Sequence, residues 1–384
     1  MHLPSEDDFT SRLRSPAVAA RVGVWLGICF AIAFVTGLIS HYAQVPSQPI
    51  PFPTSPSWGY RVTQGLHELT GTAAIPLLLV KLWTVYPKLL SRPPKQVREL
   101  VLHGAERVSI AVLVGAAIFQ LSSGLANSAQ WYPWGFSFRP THYAMAWVTI
   151  GSLAVHIAVK LPIIRRALGA DVDDTGQDHP ARTAPAGPLT RRGLLRTTWA
   201  ASAVAVLASA GSSVPVLRKV SAFGVRSGGC PQDVPINRSA YSAKVTGLAM
   251  RSDYTLTVAY GDRQRQFSRA QLLAMPQTTA DLPIACVEGW SAGATWTGVR
   301  MRDLLDRVAA PRGKDVIVES LQPSGGYRIT TLQANFADHD NTLVALVLNG
   351  APLDLEHGFP CRLIAPDRPG VLQTKWLKRL DVQA

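Results

Sequence analysis

The sequence predicts a multidomain protein: a four-helix transmembrane bundle with a fifth, anchoring helix, followed by an α+β domain. Three observations carry this. A mean hydropathy of +0.12 with only 16% charged residues is too apolar for an ordinary soluble chain of 384 residues. Four apolar runs in the first half are each long enough to cross a bilayer, which takes about 20 residues of helix. The last part of the chain turns instead to short alternating segments, the period of half-buried strands.

The formal net charge of +13 raises the question of nucleic acid. Lys and Arg cluster beside the apolar runs instead of lining one basic face, so membrane topology accounts for the charge and no nucleic-acid partner is expected. Four cysteines, Cys29, Cys230, Cys286 and Cys361, form no regular framework and do not imply disulfides, although a Cys230–Cys361 bridge stays open.

Residues 1–17 are polar, carry Arg12 and Arg14, and read as a cytoplasmic tail. The membrane domain is expected over 18–166, with spans at 18–42, 62–86, 108–129 and 143–164. Lys88, Arg92, Lys95, Arg98 and Arg107 lie between the second and third runs, and Lys160, Arg165 and Arg166 end the fourth, which makes those sides cytoplasmic. The other two connections carry only Arg61 and Arg139 beside aromatics such as Trp58, Trp131 and Trp134, and should lie outside at the interface. Lys81, within the second run, has to face the bundle interior or snorkel.

Five of the nine histidines fall in or at the ends of these spans: His41, His67, His103, His142 and His156. His142 and His156 are spaced for about 21 Å of helical rise on nearly one face, which suits two stacked haems. The topology pairs His67 with His142 at the outer end and His103 with His156 at the inner end. The domain thereby looks like the four-helix b-type cytochromes that anchor bacterial oxidoreductases, so haem b, one or two copies, is expected. Lys81 stands where that pattern would place a further histidine. A structural role, capping helices or bonding across the bundle, is the alternative, and His41 is left over for a headgroup or quinone.

Residues 167–198 have the Asp, Gly, Pro and Thr content of a cytoplasmic linker. They end in TRRGLLR, which resembles a twin-arginine export signal placed internally. A fifth helix follows at 199–217 and is expected to stay as an anchor. Further on, strands are expected at 244–248, 254–260, 316–321, 327–331, 343–348 and 361–364, with helices at 268–275 and 299–308.

Cys286 stands at the end of an apolar run in DLPIACVEGWSAGATWTG. A thiolate is a soft donor suited to a transition metal, and a cysteine without a CxxC partner cannot build a structural zinc site. Taken with TWTGVRMRDLL and LNGAPLDLEHGFPCRLIAPDRPGVLQTKWLKRLD, this stretch resembles the molybdopterin-binding domain of the sulfite oxidase family over 231–384. The resemblance implies an α+β domain in which Cys286 binds molybdenum and a pyranopterin dithiolene holds the metal otherwise. It implies cofactor contacts from Asn237, Arg238, Ser320, His357, Arg362, Gln373, Thr374 and Lys375, and a catalytic Tyr327 near the metal. A core tyrosine is the alternative for Tyr327. Histidine at 357 is closer to the sulfite oxidase branch, since the methionine sulfoxide reductase branch carries asparagine there.

A folded molybdopterin enzyme loads its cofactor before crossing a membrane, which favours the export reading of the arginine pair. The sequence thus leads to a multi-pass bacterial inner-membrane protein with an extracytoplasmic catalytic domain. It would transfer an oxygen atom to or from a small-molecule substrate and exchange electrons through haem b with a quinone or another redox partner among the membrane lipid. Two alternatives remain: a quinol-fed sulfoxide or N-oxide reductase, and a non-catalytic haem carrier with a degenerate outer domain.

Overall fold

In the computed structural model, which describes residues 5–178, 187–224 and 230–383, the chain forms two compact units. The first comprises Met1–Thr36 and Leu66–Ser209, the second Gly37–Gly65 and Ala210–Ala384. Part of the expected linker, at 179–186, and the start of the tail, at 1–4, lie outside the described residues.

Four helices are long and apolar enough to cross a membrane: α1 (Pro16–Ala43), α2 (Gly59–Val85), α3 (Val97–Ser128) and α4 (Phe138–Gly169). α1 and α4 contain their expected spans and extend beyond them, whereas α2 and α3 start earlier than expected and end one residue short, at Val85 and Ser128. The extension of α3 back to Val97 follows from strong helix formers between 97 and 107, with Glu99 in the first turn where the helix dipole favours an acid. The first unit buries some apolar side chains but leaves many at its surface. Large apolar side chains such as Val35, Leu79, Val112 and Val155 are exposed, while Thr36, Gln120, Ser123 and Thr149 are buried. Such exposed apolar side chains are compatible with a lipid-facing surface. Lys81 turns inward and donates to Ala19 O at 2.8 Å, in space left by Gly23, where a Cβ would lie 3.1 Å from its Nζ.

The next helix, α5 (Arg191–Ser209), differs from the expected 199–217 at both ends. Thr190 Oγ1 accepts the Gly193 N–H at 3.0 Å, a cap that starts the helix at the arginine pair. Residues beyond Ser209 turn towards Pro215 instead of continuing the helix. Among the described residues α5 is not one of the helices apolar enough to span a membrane. It packs through Leu195 into the buried cluster of Val18, Val22, Ala74, Leu77 and Ala117, and Ser202 Oγ donates to Ala73 O at 3.0 Å. Arg191 is buried and bonds Arg12 O, Val172 O, Asp174 O and the Asp178 carboxylate, whereas the exposed Arg192 pairs with Asp171 and Asp173.

The second unit holds twelve strands among the described residues: β1 (Thr255–Tyr260), β2 (Arg263–Ser268), β3 (Thr278–Asp281), β4 (Ile284–Ala285), β5 (Ser291–Ala292), β6 (Thr295–Arg300), β7 (Val316–Ser320), β8 (Ile329–Leu332), β9 (Leu343–Leu348), β10 (Ala351–Pro352), β11 (Arg362–Ile364) and β12 (Leu377–Val382). One sheet runs β2-β1-β12-β7-β8, with β1 and β12 parallel and the other pairs antiparallel. A second runs β10-β9-β6-β3, with β11 also on β9. Four short helices intervene: α6 (Thr246–Ala249), α7 (Arg269–Ala274), α8 (Met301–Asp306) and α9 (Ala334–Ala337). The main core, including Leu256, Val258, Leu304, Val318, Leu346 and Leu380, draws on both larger sheets and α8.

Two local expectations are corrected. Residues 244–248 form a turn entering α6, not a strand, with Lys244 at φ 55. The stretch 299–308 is strand up to Arg300 and helix only from Met301, because Val299 and Arg300 pair with Val344 and Leu343. β2 reads RQRQFS, with no apolar alternation, because it is an exposed edge strand.

Candidate active site

Cys286 sits at the head of the β4–β5 hairpin. Its N–H bonds Trp290 O at 2.8 Å, its carbonyl accepts the Gly289 N–H at 3.1 Å, and Gly289 takes a φ of 87° that favours glycine. The thiol is 1% exposed and lies 3.7 Å from Glu288 Oε2, which also accepts from Trp290 Nε1 at 3.0 Å. Burial first, then the neighbouring Glu288 charge, pushes the thiol well above its ordinary pKa. A bound metal reverses that preference, since a coordinating thiol is deprotonated outright.

Cys286 shares a pocket with Asn237, His357, Arg362 and Lys375, walled by Val234, Pro235, Ile284, Trp290 and Gly370. The backbone makes this convergence feasible. His357 ends a short turn capped by Gly358 at φ 110°, where a Cβ would press within 3.0 Å of Arg362 and 3.1 Å of Lys375. Gly370 likewise brings its loop against β4, since a Cβ there would lie 2.9 Å from Ala285 O.

Arg362 is 2% exposed, donates to His357 O and Gln373 O at 3.0 Å each, and lies 4.9 Å over the Trp296 ring. Its Nε is buried without a partner, and it joins no ion pair among the described residues. Burial lowers its pKa to about 9. Lys375 is lowered to about 7, by burial and then by Arg362, and donates to Arg238 O at 2.6 Å and Glu356 O at 3.0 Å. His357 is held at about 4, again by burial and then Arg362, and its Nε2 donates to Pro231 O at 2.7 Å. A buried guanidinium with an unused donor, beside an ammonium already losing its proton, is a cavity short of negative charge. An anionic pterin with a phosphate fits that donor set. The described residues contain no group of three or more His, Cys, Asp or Glu side chains that could hold a metal, so one thiolate plus ligands from a cofactor is the arrangement they suit.

The other expected cofactor residues surround this pocket. Arg238 is exposed and bonds Gln322 Oε1 at 2.7 Å. Ser320, Gln373 and Thr374 turn into the backbone: Ser320 Oγ to Lys375 O at 2.8 Å, Gln373 to Ala365 and Arg368, Thr374 Oγ1 to Leu372 O at 3.5 Å. Gln373 thereby fixes the loop that carries Gly370. Tyr327 lies half-buried in the turn before β8. Sequence reading missed Asp367 and the buried Arg368, which donates to Leu372 O and Thr331 O at 2.7 Å each. It also missed Tyr60, which packs against Ala285 from a distant part of the chain and left no motif to find it by.

In the first unit, His67 and His142 meet with ring centroids 6.3 Å apart. His67 Nδ1 donates to Ala33 O at 2.8 Å, and His142 Nδ1 bonds Ser123 Oγ at 2.9 Å. That separation is close to the about 6 Å expected between the centroids of two imidazoles on one metal, each with a nitrogen about 2 Å from it. The inner residues are not joined in this way. His103 and His156 make no ring contact among the described residues; both lie near Glu106, which pairs with Lys160.

Residues 242–384 match the family of oxidoreductase molybdopterin binding domains. Among curated proteins, the chain is 30% identical over 155 residues to the mitochondrial sulfite oxidase of Drosophila melanogaster, covering 34% of this chain and 27% of that one. It is 36% identical over 104 residues to the protein-methionine-sulfoxide reductase catalytic subunit MsrP of Xanthomonas campestris pv. campestris (24% and 32%). It is 31% identical over 112 residues to the putative protein-methionine-sulfoxide reductase subunit YedZ1 of Azospira oryzae (29% and 42%). The chain thus spans less than half the length of each of these relatives. Among solved structures, the sulfane dehydrogenase SoxCD of Paracoccus pantotrophus aligns at 25% identity with a TM-score of 0.32, covering 35% of this chain and 40% of that one. Residues 242–384 thus match an oxidoreductase molybdopterin binding domain, and the chain is similar over part of its length to sulfite oxidase and MsrP.

Proposed function

We propose that this chain is a membrane-bound, molybdenum-dependent oxidoreductase that reduces a small sulfoxide outside the cytoplasm with electrons drawn from the membrane. The reaction balances as sulfoxide plus two electrons and two protons giving sulfide and water. The carrying observation is the buried Cys286 thiol sharing one pocket with Arg362, Lys375 and His357. Cys286 would ligate molybdenum, Arg362 and Lys375 would hold the anionic tail of the pterin, and Asn237 and His357 would bond its polar edge. Bound there, the cofactor supplies two-electron oxygen-atom exchange. The reductive direction rests on the likeness to MsrP and YedZ1.

The membrane part is the electron route. His67 and His142 would hold a haem b, and a quinol is the natural donor for a protein with four bilayer-length helices. The connection expected outside, at 43–61, falls within Gly37–Gly65, which belongs to the same compact unit as the C-terminal domain and supports one side of the membrane for both. In this reading TRRGLLR exports the folded domain and α5 remains as its tether. Elemental analysis for molybdenum and iron, a haem assay, and sulfoxide reduction by the full-length protein with a reduced dye test the proposal together. Protein purified from a host competent in cofactor synthesis but devoid of molybdenum would overturn it.

A further inference from the structure

Residues 211–224, which follow α5, fold into a closed loop. Its ends meet, since a Cβ at Gly224 would lie 3.1 Å from Gly211 C. Gly211 permits the closure: a Cβ there would lie 2.7 Å from Ser221 Cβ and 2.8 Å from Arg218 Cα. Inside the loop, Ser221 Oγ accepts the Gly211 N–H at 2.7 Å. The loop buries Ser212, Ser213 and Ser221, yet leaves Val216, Val220 and Phe223 86%, 71% and 83% exposed, with the exposed Lys219 between them. Large apolar side chains grouped in this way on one short loop mark a contact surface.

The neighbours of the loop indicate what it meets. Ser213 lies against α2, where a Cβ at Gly65 would be 3.6 Å from Ser213 Cβ. Because α2 is of bilayer length and begins at Gly59, its turns up to Gly65 are where the chain enters the membrane. Trp58 and Val62 are exposed at that same end, and tryptophan is enriched at membrane–water interfaces. The loop also grips the hairpin of Cys286: the Ser291 N–H bonds Ser212 O at 2.7 Å, Ser213 Oγ donates to Gly289 O at 2.8 Å, and the Arg218 guanidinium donates to Ser291 O. Three apolar side chains around one lysine suit a phospholipid surface, which offers acyl chain to the former and phosphate to the latter.

We propose that Val216, Val220 and Phe223 insert into the phospholipid leaflet at the Gly59 end of α2, with Lys219 at headgroup level. The loop is then an interfacial anchor that holds the Cys286 hairpin close to the bilayer surface. This rests on the membrane-bound reading above. The test uses the full-length protein in nanodiscs of phosphatidylcholine and phosphatidylglycerol, with the photo-crosslinker benzoylphenylalanine in place of Phe223, of Val112 on α3, or of Gln264 on the polar edge strand β2. Intact-protein mass spectrometry reads the adducts. Position 223 should yield at least about tenfold more lipid adduct than position 264, as expected of a side chain immersed below the headgroups. A smaller excess, with lipid adduct present at position 112, overturns the anchor and leaves the membrane reading intact. Absence of lipid adduct at position 112 overturns the membrane reading and the anchor with it. An adduct from position 223 to a second protein chain in place of lipid makes the loop a protein interface and rejects the proposal. If the protein substituted at Phe223 does not accumulate, Val216 takes its place with the same outcomes.

Discussion

The rings of His67 and His142 stand 6.3 Å apart with their planes 75° from parallel, and each Nδ1 is already taken, by Ala33 O and Ser123 Oγ respectively. Because a carbonyl oxygen can only accept, His67 Nδ1 carries the proton and its Nε2 presents the lone pair. This is how a metal-ligating imidazole is oriented by its second nitrogen.

Replacement of His142 by Ala should therefore abolish the b-type optical spectrum while leaving molybdenum content unchanged. Ser123→Ala is the subtler variant. It keeps the ligand but loses its orienting bond, and haem affinity should fall by about 10- to 100-fold. A haem titration of both variants checks this, and a spectrum of normal intensity in His142→Ala would remove the assignment.

Two buried cysteines should behave differently. Cys286→Ser should leave the domain folded but cost at least about 100-fold in turnover, because a hydroxyl oxygen is a poor replacement for a soft thiolate. Cys361 is sealed in the main core with its Sγ 3.2 Å from the Tyr254 hydroxyl, and burial pushes its pKa up to about 12. Cys361→Ser should keep molybdenum and activity while lowering the melting temperature, so metal content and thermal unfolding measured side by side separate the two.

Lys375 supplies a pH dependence with a definite sign. Its folded value of about 7 lies below the unfolded value of about 10.4, so between these the unfolded chain binds a proton that the folded one lacks. Stability of the cofactor-free protein from this group falls as pH drops from about 10 to about 7 and is flat below. Anion binding favours the charged form. Affinity for pyrophosphate should accordingly weaken about tenfold between pH 6.5 and 8.5, and Lys375→Gln should flatten that profile. A wild-type profile without slope would show that Lys375 does not meet the anion.

The arginine pair should divide by function. Arg191 is buried on three carbonyls and Asp178, a geometry that a lysine cannot reproduce, so Arg191→Lys should destabilise the first unit by about 1–3 kcal/mol. The exposed Arg192→Lys should change stability by less than about 1 kcal/mol. Thermal unfolding reads both. Protease accessibility of the C-terminal domain then shows whether Arg192→Lys, stable as it is, blocks export; a domain that remains outside when both Arg191 and Arg192 are replaced by Lys would reduce the pair to a folding element.

The sequence by itself determined what repeats locally or depends on composition. Four apolar runs of bilayer length became α1 to α4, and the continuous apolar run Leu343–Leu348 appeared as a strand where expected. The motif around Cys286 announced the domain because a candidate metal ligand, its hairpin glycine and Trp290 lie within a few residues. Tertiary structure decided the rest. β2 forms as an edge strand by pairing with β1 and carries no apolar signal of its own. Arg191 became a helix residue because Thr190 caps α5 and Asp178 folds back on it. Only folding separated the cofactor candidates into those facing the pocket, such as Arg362 and Lys375, and those facing backbone, such as Ser320 and Gln373. It also brought Tyr60 beside Ala285, since burial and unpaired donors are properties of a packed interior that no local pattern encodes.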